Sequence, residues 1–490
     1  MKQDKKSTSR RKFLKTGALA GGSFFIVPRH VLGKGFIAPS DRLNIAAIGA
    51  GGKGFSDIRN ASDDGANNIV ALCDVDSKAV TRARTAFPEA KFFKDFRVML
   101  EKMDKDIDAV TVSTPDHIHG VAAMAAMSLG KHVYVQKPLA HNIYEARQLT
   151  KAAQENKLVT QMGNQGASHP GQVQMKNWFD QGLIGKVHTV EVWTNRPVWP
   201  QGIPVPTDQN KLPEHLSKDD WNLYIGPAKY VDYDPLYYHF KWRGWWNFGT
   251  GALGDMGCHI IDTPFRVLEL GYPTEVEASV GAIYKEDWNP EYVPEGCPPS
   301  SRVQVNFSKS KVNDSPVKMI WSDGGLRPFH PDLIPASDDI GGEGSKNGIM
   351  MIGDKGVMTS DVYGSEPKLY RKGEEVLRMP EEFDGGNKYL DYPEMGHQKS
   401  WTEACKAGFQ SKEHLALTSS FDYAGPLTET VLMGNLAIRS YTLAEARLDG
   451  GMDFPGRKKL LWDGKNMRIT NFEAANQFVT RPHREGWMLI

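Results

Sequence analysis

Cysteine is scarce in this chain. There are four, at positions 73, 258, 297 and 405, with no CxxC spacing and no disulfide framework. Cys73 and Cys258 sit in apolar or glycine-rich runs and read as buried thiols. An excess of either charge is also lacking. Lys+Arg 59 balance Asp+Glu 59, which removes the electrostatic case for nucleic acid or an anionic membrane surface. Internal repeats and low-complexity stretches are missing too. The 490 residues leave room for two or three domains with ample core.

The apolar stretch nearest the N-terminus, TGALAGGSFFIV, is too short and glycine-rich for a membrane span. It follows Arg10-Arg11-Lys12-Phe13-Leu14-Lys15, and paired arginines before a short, modest apolar region read as a twin-arginine export signal. The expectation is therefore export to the periplasm through the twin-arginine machinery. No membrane association is expected after processing.

What the chain does have is Leu43 to Gly54, LNIAAIGAGGKG, around which the rest is organised. Its uncharged apolar run suits a strand buried on both faces. The run leads into Gly49-x-Gly51-x-x-Gly54. In such a pattern the first glycine makes the tight turn, the second admits a pyrophosphate and the third lets the following helix pack closely. A second apolar strand, Ile69 to Cys73, ends in Asp74, twenty residues after Gly54. A carboxylate there suits the adenosine ribose hydroxyls and repels a 2′-phosphate, so the cofactor reads as NAD rather than NADP. Asp76 reads as a cap of the next helix.

Strands and helices alternate up to about residue 163, as a doubly wound parallel sheet requires. Helices are expected over 78–86, 96–103, 120–129 and 145–155, and further strands over 92–93, 108–114, 132–135 and 158–162. The fourth strand breaks at Thr114-Pro115-Asp116-His117-Ile118-His119, read as a turn at the ligand-binding edge. Thr114, Pro115 and His117 are therefore candidate cofactor contacts. The expected organisation is a signal and linker (1–38), a Rossmann domain (39–163), a substrate domain (164–445) and an irregular extension (446–490). In the substrate domain Val187–Trp193, Val276–Val280, Val303–Phe307 and Val317–Trp321 read as strands, and 348–358 as a hairpin. Tyr423–Leu443 reads as a long helix interrupted at Gly425-Pro426.

Two constellations carry chemistry. Gln136-Lys137-Pro138 ends the fifth strand on the same sheet edge as the glycine loop, placing Gln136 and Lys137 at the cofactor. There Lys137 can hydrogen-bond a substrate hydroxyl or take its proton. The second is Asp255-x-x-x-His259 with Asp262 beyond. If Asp255 starts a helix, His259 lies one turn on, giving a hydroxyl clamp and proton relay. Two bland readings stand beside it: a satisfied core histidine, or a metal pair with His239 as a further ligand. The metal reading is set aside because no third well-placed ligand is evident. The runs around Arg196, Trp199, His239, Trp242 and Trp245 are candidate substrate walls, and loop or interface packing is the equal alternative.

Together the glycine loop, Asp74, the TPDHIH turn, the Lys-Pro after strand five and the later DxxxH resemble the Gfo/Idh/MocA oxidoreductases, over residues 42 to about 445. The resemblance implies an α/β fold: a Rossmann domain followed by an α/β domain with a large, mainly antiparallel open sheet, often assembled as a homo-oligomer. It also implies catalytic roles for Lys137, Asp255 and His259, and a sugar, inositol or polyol substrate. Within the family the export signal and length look closest to a Bacteroidetes and Planctomycetes branch. The family pattern before Lys-Pro is usually Glu, and Gln136 here is expected to ease deprotonation of Lys137 by removing a neighbouring anion.

Export sharpens the functional expectation. A twin-arginine substrate leaves folded with its nucleotide loaded, so the cofactor is expected to recycle on the protein. The first reading is an NAD-dependent oxidoreductase acting on a sugar, glycoside or polyol hydroxyl. The alternative is a redox-neutral glycoside hydrolase or lyase working through a keto-sugar. A non-catalytic sugar- or NAD-binding protein is disfavoured, because neither the lysine nor the histidine is missing.

Overall fold

Asn44–Ile48, the uncharged run before the glycine loop, forms strand β1 in the computed structural model, which describes residues 41–208, 210–391, 393–449 and 451–489. The expected export segment, 1–38, lies outside the described residues. With β2 (Asn68–Cys73), β3 (Lys91–Phe93), β4 (Ala109–Val112), β5 (His132–Val135) and β6 (Thr160–Met162), β1 builds a parallel sheet in the order 3-2-1-4-5-6. The order reverses between β1 and β4, which opens a crevice at the carboxyl ends of the strands.

Both faces of this sheet are covered, as its continuous apolar strands require. Alternate residues face opposite sides. Ala46, Ile48, Val110, Val112, Val133 and Val135 pack with Ala122, Ala126 and Leu149 of helices α4 (Asp116–Ser128) and α5 (Ile143–Glu155). Ile45, Ala47, Ala109 and Tyr134 pack on the other side with Ile58 of α1 (Gly52–Ser62). The rest of that second face is closed by α10 (His397–Ala407), which brings Trp401, Ala404 and Cys405 back from the far end of the chain. Trp401 is fully buried with its ring 5.6 Å from that of Tyr134.

Local departures from the expected elements have simple causes. Helix α2 is Thr81–Ala86, because Asp76 caps a turn ahead of it through the Lys78 and Ala79 N–H groups (2.8 and 3.1 Å). Helix α3 is Phe96–Met103. Helix α4 begins at Asp116, so the stretch expected as a turn through His119 is already helical.

Beyond α6 (Pro170–Asp180), β7 (Val187–Trp193) is central to a second sheet. The sheet also contains β8 (Glu275–Val280), β11 (Ser301–Phe307), β12 (Val317–Ser322), β13 (Gly348–Gly353), β14 (Gly356–Ser360), β15 (Lys368–Arg371) and β16 (Leu377–Arg378), with β9 (Ile283–Glu286) and β10 (Asn289–Glu291) forming a separate hairpin. The full order is 16-15-14-13-7-12-11-8-19-20, antiparallel throughout except for the β7–β12 pair. The last two strands, β19 (Leu460–Asp463) and β20 (Arg468–Ile469), follow a small ribbon, β17 (Glu445–Ala446) and β18 (Met452–Asp453). They overturn the expectation that the extension is irregular: it adds two edge strands to the large sheet.

Three further helices line the junction of the two domains: α7 (Lys218–Ile225), α8 (Gly251–Ile260) and α9 (Asp262–Val267). After α10 and the short α11 (Lys412–Leu415), helix α12 runs unbroken over Phe421–Tyr441. The expected interruption at Gly425-Pro426 does not occur. Pro426 lies in the second turn, and Gly425 lets α12 meet α5 closely; a Cβ there would stand 2.1 Å from Thr150 Oγ1. Thr150 Oγ1 in turn donates to the Phe421 carbonyl (3.2 Å). No helix among the described residues is long and apolar enough to cross a membrane.

Candidate active site

The glycine loop turns where the sequence places it. Gly49 has φ +78°, and a Cβ at Gly54 would meet the Gly49 carbonyl oxygen at 1.8 Å, so only glycine closes this turn. Helix α1 starts with no side-chain cap, which leaves the N–H groups of its first turn for an anion. Asp74 ends β2 with Oδ2 accepting from Gly51 N–H (2.9 Å) and Oδ1 from Asp76 N–H (3.0 Å). Burial pushes its carboxyl up to about 6.

These residues line one cavity of about 880 Å³, which continues past Thr114, Pro115 and Gln136 to Lys137, His259, Tyr363 and Glu394. The residues present fit a dinucleotide. A glycine turn and uncapped helix stand ready for the pyrophosphate, and a carboxylate ends the second strand. They also fit NAD over its 2′-phosphate: Lys94 is engaged by Asp220 (2.7 Å), and the cavity-lining Arg243 is bonded to Asp255 at the other end.

At the reactive end Lys137 Nζ donates to the Asp255 carbonyl (2.6 Å) and to its Oδ1 (3.0 Å). Arg243 Nε donates to the same Oδ1 (3.0 Å), and Arg196 Nε lies 3.6 Å from Oδ2. Burial alone would raise the Asp255 carboxyl, but Lys137 and Arg243 hold it well below the usual carboxylate range. Arg243 is fixed over Trp242 (4.3 Å) and Phe240 (4.7 Å). Asp255 sits mid-helix rather than at a helix start, since α8 begins at Gly251, but the i+4 relation to His259 holds. His259 lines the cavity with Tyr363 edge-on at 5.2 Å, and its Nδ1 has no partner among the described residues. Burial, then the neighbouring Lys137, pushes its imidazole well below the ordinary histidine range, so it is neutral at neutral pH. Asp262 belongs elsewhere, held by Arg266 (3.0 Å) and Tyr423 (2.6 Å). Among the described residues no three His, Cys, Asp or Glu side chains converge as a metal-holding group.

Several expected contacts are corrected. His117 is turned away from the cavity. Its ring nitrogens meet the Tyr224 (2.8 Å) and Phe248 (3.2 Å) carbonyls, and burial brings its pKa down to about 3. Gln136 does not face Lys137's counter-ion. Its Nε2 donates to Asp57 (3.0 Å), a buried carboxylate also bonded by Ser113 (2.8 Å) and Gln398 (3.1 Å), so the anion beside Lys137 is Asp255. Trp245 is a core residue packed on Tyr237 (5.1 Å), and Trp199 donates to Gln201 (2.9 Å) behind Phe240; neither lines the cavity. Arg196 reaches Asp255 without lining the cavity, whereas His239 and Trp242 do line it.

The structure adds residues that carried no local signal. Lys53, on α1, pairs with Glu394 (2.6 Å), which arrives from a turn where Glu394 and Met395 both have positive φ (52° and 57°). Gln165, His169, Tyr363 and Trp487 also line the cavity.

Comparison with known proteins agrees with this architecture. Residues 43–164 match the oxidoreductase family NAD-binding Rossmann fold, and residues 175–285 match that family's C-terminal alpha/beta domain. Inositol 2-dehydrogenase of Salmonella typhimurium is 29% identical over 147 residues, 29% of this chain and 43% of that protein. A glycosyl hydrolase family 109 protein of Solibacter usitatus is 35% identical over 161 residues, 30% and 36% of the two chains. Alpha-N-acetylgalactosaminidase of Shewanella oneidensis is 29% identical over 186 residues, 35% and 39%. The chain thus spans less than half the length of these relatives. Among solved structures, an inositol dehydrogenase homolog from Azotobacter vinelandii complexed with NAD+ aligns with TM-score 0.57 at 15% identity, covering 81% of this chain and 95% of that one. A levoglucosan dehydrogenase complex with NADH and levoglucosan aligns with TM-score 0.53 at 16% identity, covering 81% and 98%, a likeness of fold. With a parallel 3-2-1-4-5-6 sheet, a glycine turn at its switch point and a large, mostly antiparallel second sheet, the chain belongs to the Gfo/Idh/MocA oxidoreductase family, and its first domain is the NAD-binding Rossmann domain of that family.

Proposed function

We propose that this chain is an NAD-dependent oxidoreductase acting on a hydroxyl of a sugar, glycoside or polyol, with its cofactor kept bound and recycled between turnovers. The observation that carries this reading is His259: a neutral, buried imidazole on the cavity wall, one turn beyond the carboxylate that grips Lys137. NAD would be held by the Gly49–Gly54 turn and Asp74, and would supply a hydride acceptor for the carbinol carbon. Lys137, oriented by Asp255, donates a hydrogen bond to the substrate oxygen. The His259 imidazole accepts the hydroxyl proton and returns it when a ketone is reduced. Asp255 keeps Lys137 aimed, and Arg243 shares that carboxylate so the arrangement is rigid. The relatives named for inositol and levoglucosan support a cyclic polyhydroxylated substrate.

A second reading, a redox-neutral glycoside hydrolase or lyase, is favoured by the relatives named as family 109 glycosyl hydrolases and an alpha-N-acetylgalactosaminidase. It needs an acid for the leaving group, and burial keeps the Tyr363 phenol protonated beside His259. The twin-arginine pattern at Arg10-Arg11 supports export to the periplasm, where a retained cofactor has most value. We place the working form there, as a homo-oligomer.

Purified protein incubated with sugars, polyols and aryl glycosides, without and then with added NAD, tests these readings. Formation of reduced nicotinamide without aglycone release supports the oxidoreductase. Aglycone release without net reduction supports the redox-neutral glycosidase. Neither signal with any substrate overturns both.

A further inference from the structure

We infer that Trp487, on the C-terminal tail, closes the adenosine end of the cofactor cavity, and that residues 481–487 form a strap that slows NAD release. The position follows from the sheet order. Strand β3 lies beyond β2 on the side away from Lys137, and Asp74, at the end of β2, donates its N–H to the Phe93 carbonyl (3.1 Å). Phe96 stands just after β3, so the cavity wall near it is the wall next to the ribose carboxylate. Trp487 lines this end together with Phe96, Ile118 and Leu223, and its ring lies 5.9 Å from that of Phe96. An apolar wall with two aromatic rings beside a ribose-binding carboxylate suits a flat, uncharged base.

The strap is anchored at every turn of its path. Arg481 donates to Glu145 (2.9 Å) and to the His117 carbonyl (2.6 Å), and His483 Nε2 meets the same Glu145 oxygen (2.9 Å). Glu145 is wholly buried on α5. Burial would raise it, but Arg481 and then His483 hold it down to about 2. Arg484 clasps the end of α7 through the Gly226 carbonyl (2.9 Å) and the Asn222 carbonyl (2.9 Å) and side chain (2.8 Å). Arg97, next to Phe96, donates to the Gly486 carbonyl (3.1 Å) and lies over the Trp487 ring (4.0 Å). The tail therefore ties the Rossmann helices α3 and α5 to α7 of the second domain, with Trp487 facing the cavity where they meet.

Stopped-flow displacement of bound NADH and equilibrium titration with NADH and ADP-ribose test this. Trp487→Ala is expected to speed NADH release and weaken both ligands by roughly tenfold or more, the loss of one stacking surface. Trp487→Phe is expected to restore most of both; Trp487→Ala, which empties a buried site, is expected to lower Tm as well, and Trp487→Phe to recover most of that loss. Release and affinity within twofold of wild type in Trp487→Ala overturn the inference. So does loss of NADH affinity with ADP-ribose affinity intact, which would move Trp487 to the nicotinamide end. Arg481→Met combined with Arg484→Met, which removes both arginine anchors while leaving the Trp487 side chain intact, is expected to speed release as well; no change there overturns the strap. Failure of the wild type to bind either nucleotide would instead overturn the cofactor site itself.

Discussion

At the reactive end of the cavity Lys137, Arg243 and Arg196 crowd one carboxylate, Asp255, whereas at the adenosine end Phe96, Ile118, Leu223 and Trp487 form an apolar wall beside Asp74. The first end fixes direction. Lys137 and Arg243 each have a short bond to Asp255, and the His259 imidazole on the cavity wall is left over for substrate. The second end fixes occupancy, since apolar and stacking contact is tolerant of angle but costly to leave. Changes at the reactive end should therefore alter turnover with little effect on cofactor affinity, and changes at the adenosine end should do the reverse.

The largest effect expected is His259→Ala, which removes the general base: kcat falls about 10²–10⁴-fold with NADH affinity unchanged, measured by steady-state kinetics beside NADH titration. Lys137→Met comes next. It lowers kcat by about 10²-fold and lowers Tm as well. The stability loss stays below the roughly 3–5 kcal/mol of an orphaned buried ion, because Arg243 still holds Asp255. Equal losses of NADH affinity in either variant would erase the contrast between the two ends.

Asp74 offers a pH test of the other end. Its carboxyl is raised from 3.8 to about 6 in the fold, so the folded state binds more protons than the unfolded chain between those values. Its contribution to stability is thus fully present below about 4 and is lost as pH rises through about 6. A ribose diol needs the ionised form as acceptor, so NADH affinity should fall as pH drops below about 6. In Asp74→Asn that pH dependence should vanish. The smallest effect is expected of Gln136→Glu, which sets a second carboxylate against Asp57. The new group's folded pKa is raised by its neighbour, so the Tm penalty is absent below about 4 and grows toward neutral pH. The kcat–pH profile should stay in place, since Lys137 answers to Asp255.

What the sequence disclosed divides along the same line. The glycine loop, Asp74, Lys137 and the Asp255–His259 pair are legible because each is local: a buried strand followed at once by its functional residue, or two side chains one helical turn apart. His117 misleads for a related reason. It follows a strand at the binding edge, but α4 has already begun, and its ring is drawn to the Tyr224 and Phe248 carbonyls. Trp199 and Trp245 show that an aromatic run near a site is as readily core as wall. Glu394 and Trp487 could not be read at all. They reach the cavity from 341 residues beyond Lys53 and from the tail, and no periodicity marks a contact made at that separation. The covering of the first sheet by α10 is hidden in the same way, since nothing local to Trp401 marks it as packing on Tyr134, on a strand far earlier in the chain.

The central claim is that one cavity holds NAD between the Gly49–Gly54 turn and the Lys137–Asp255–His259 cluster. Its most direct test is to denature freshly purified protein, quantify the nucleotide released, and titrate NADH into protein stripped of it. Stoichiometric NAD(H), or a single saturable NADH site that is lost in Gly49→Val, is the predicted result. No released nucleotide and no NADH binding by the wild type would contradict the account.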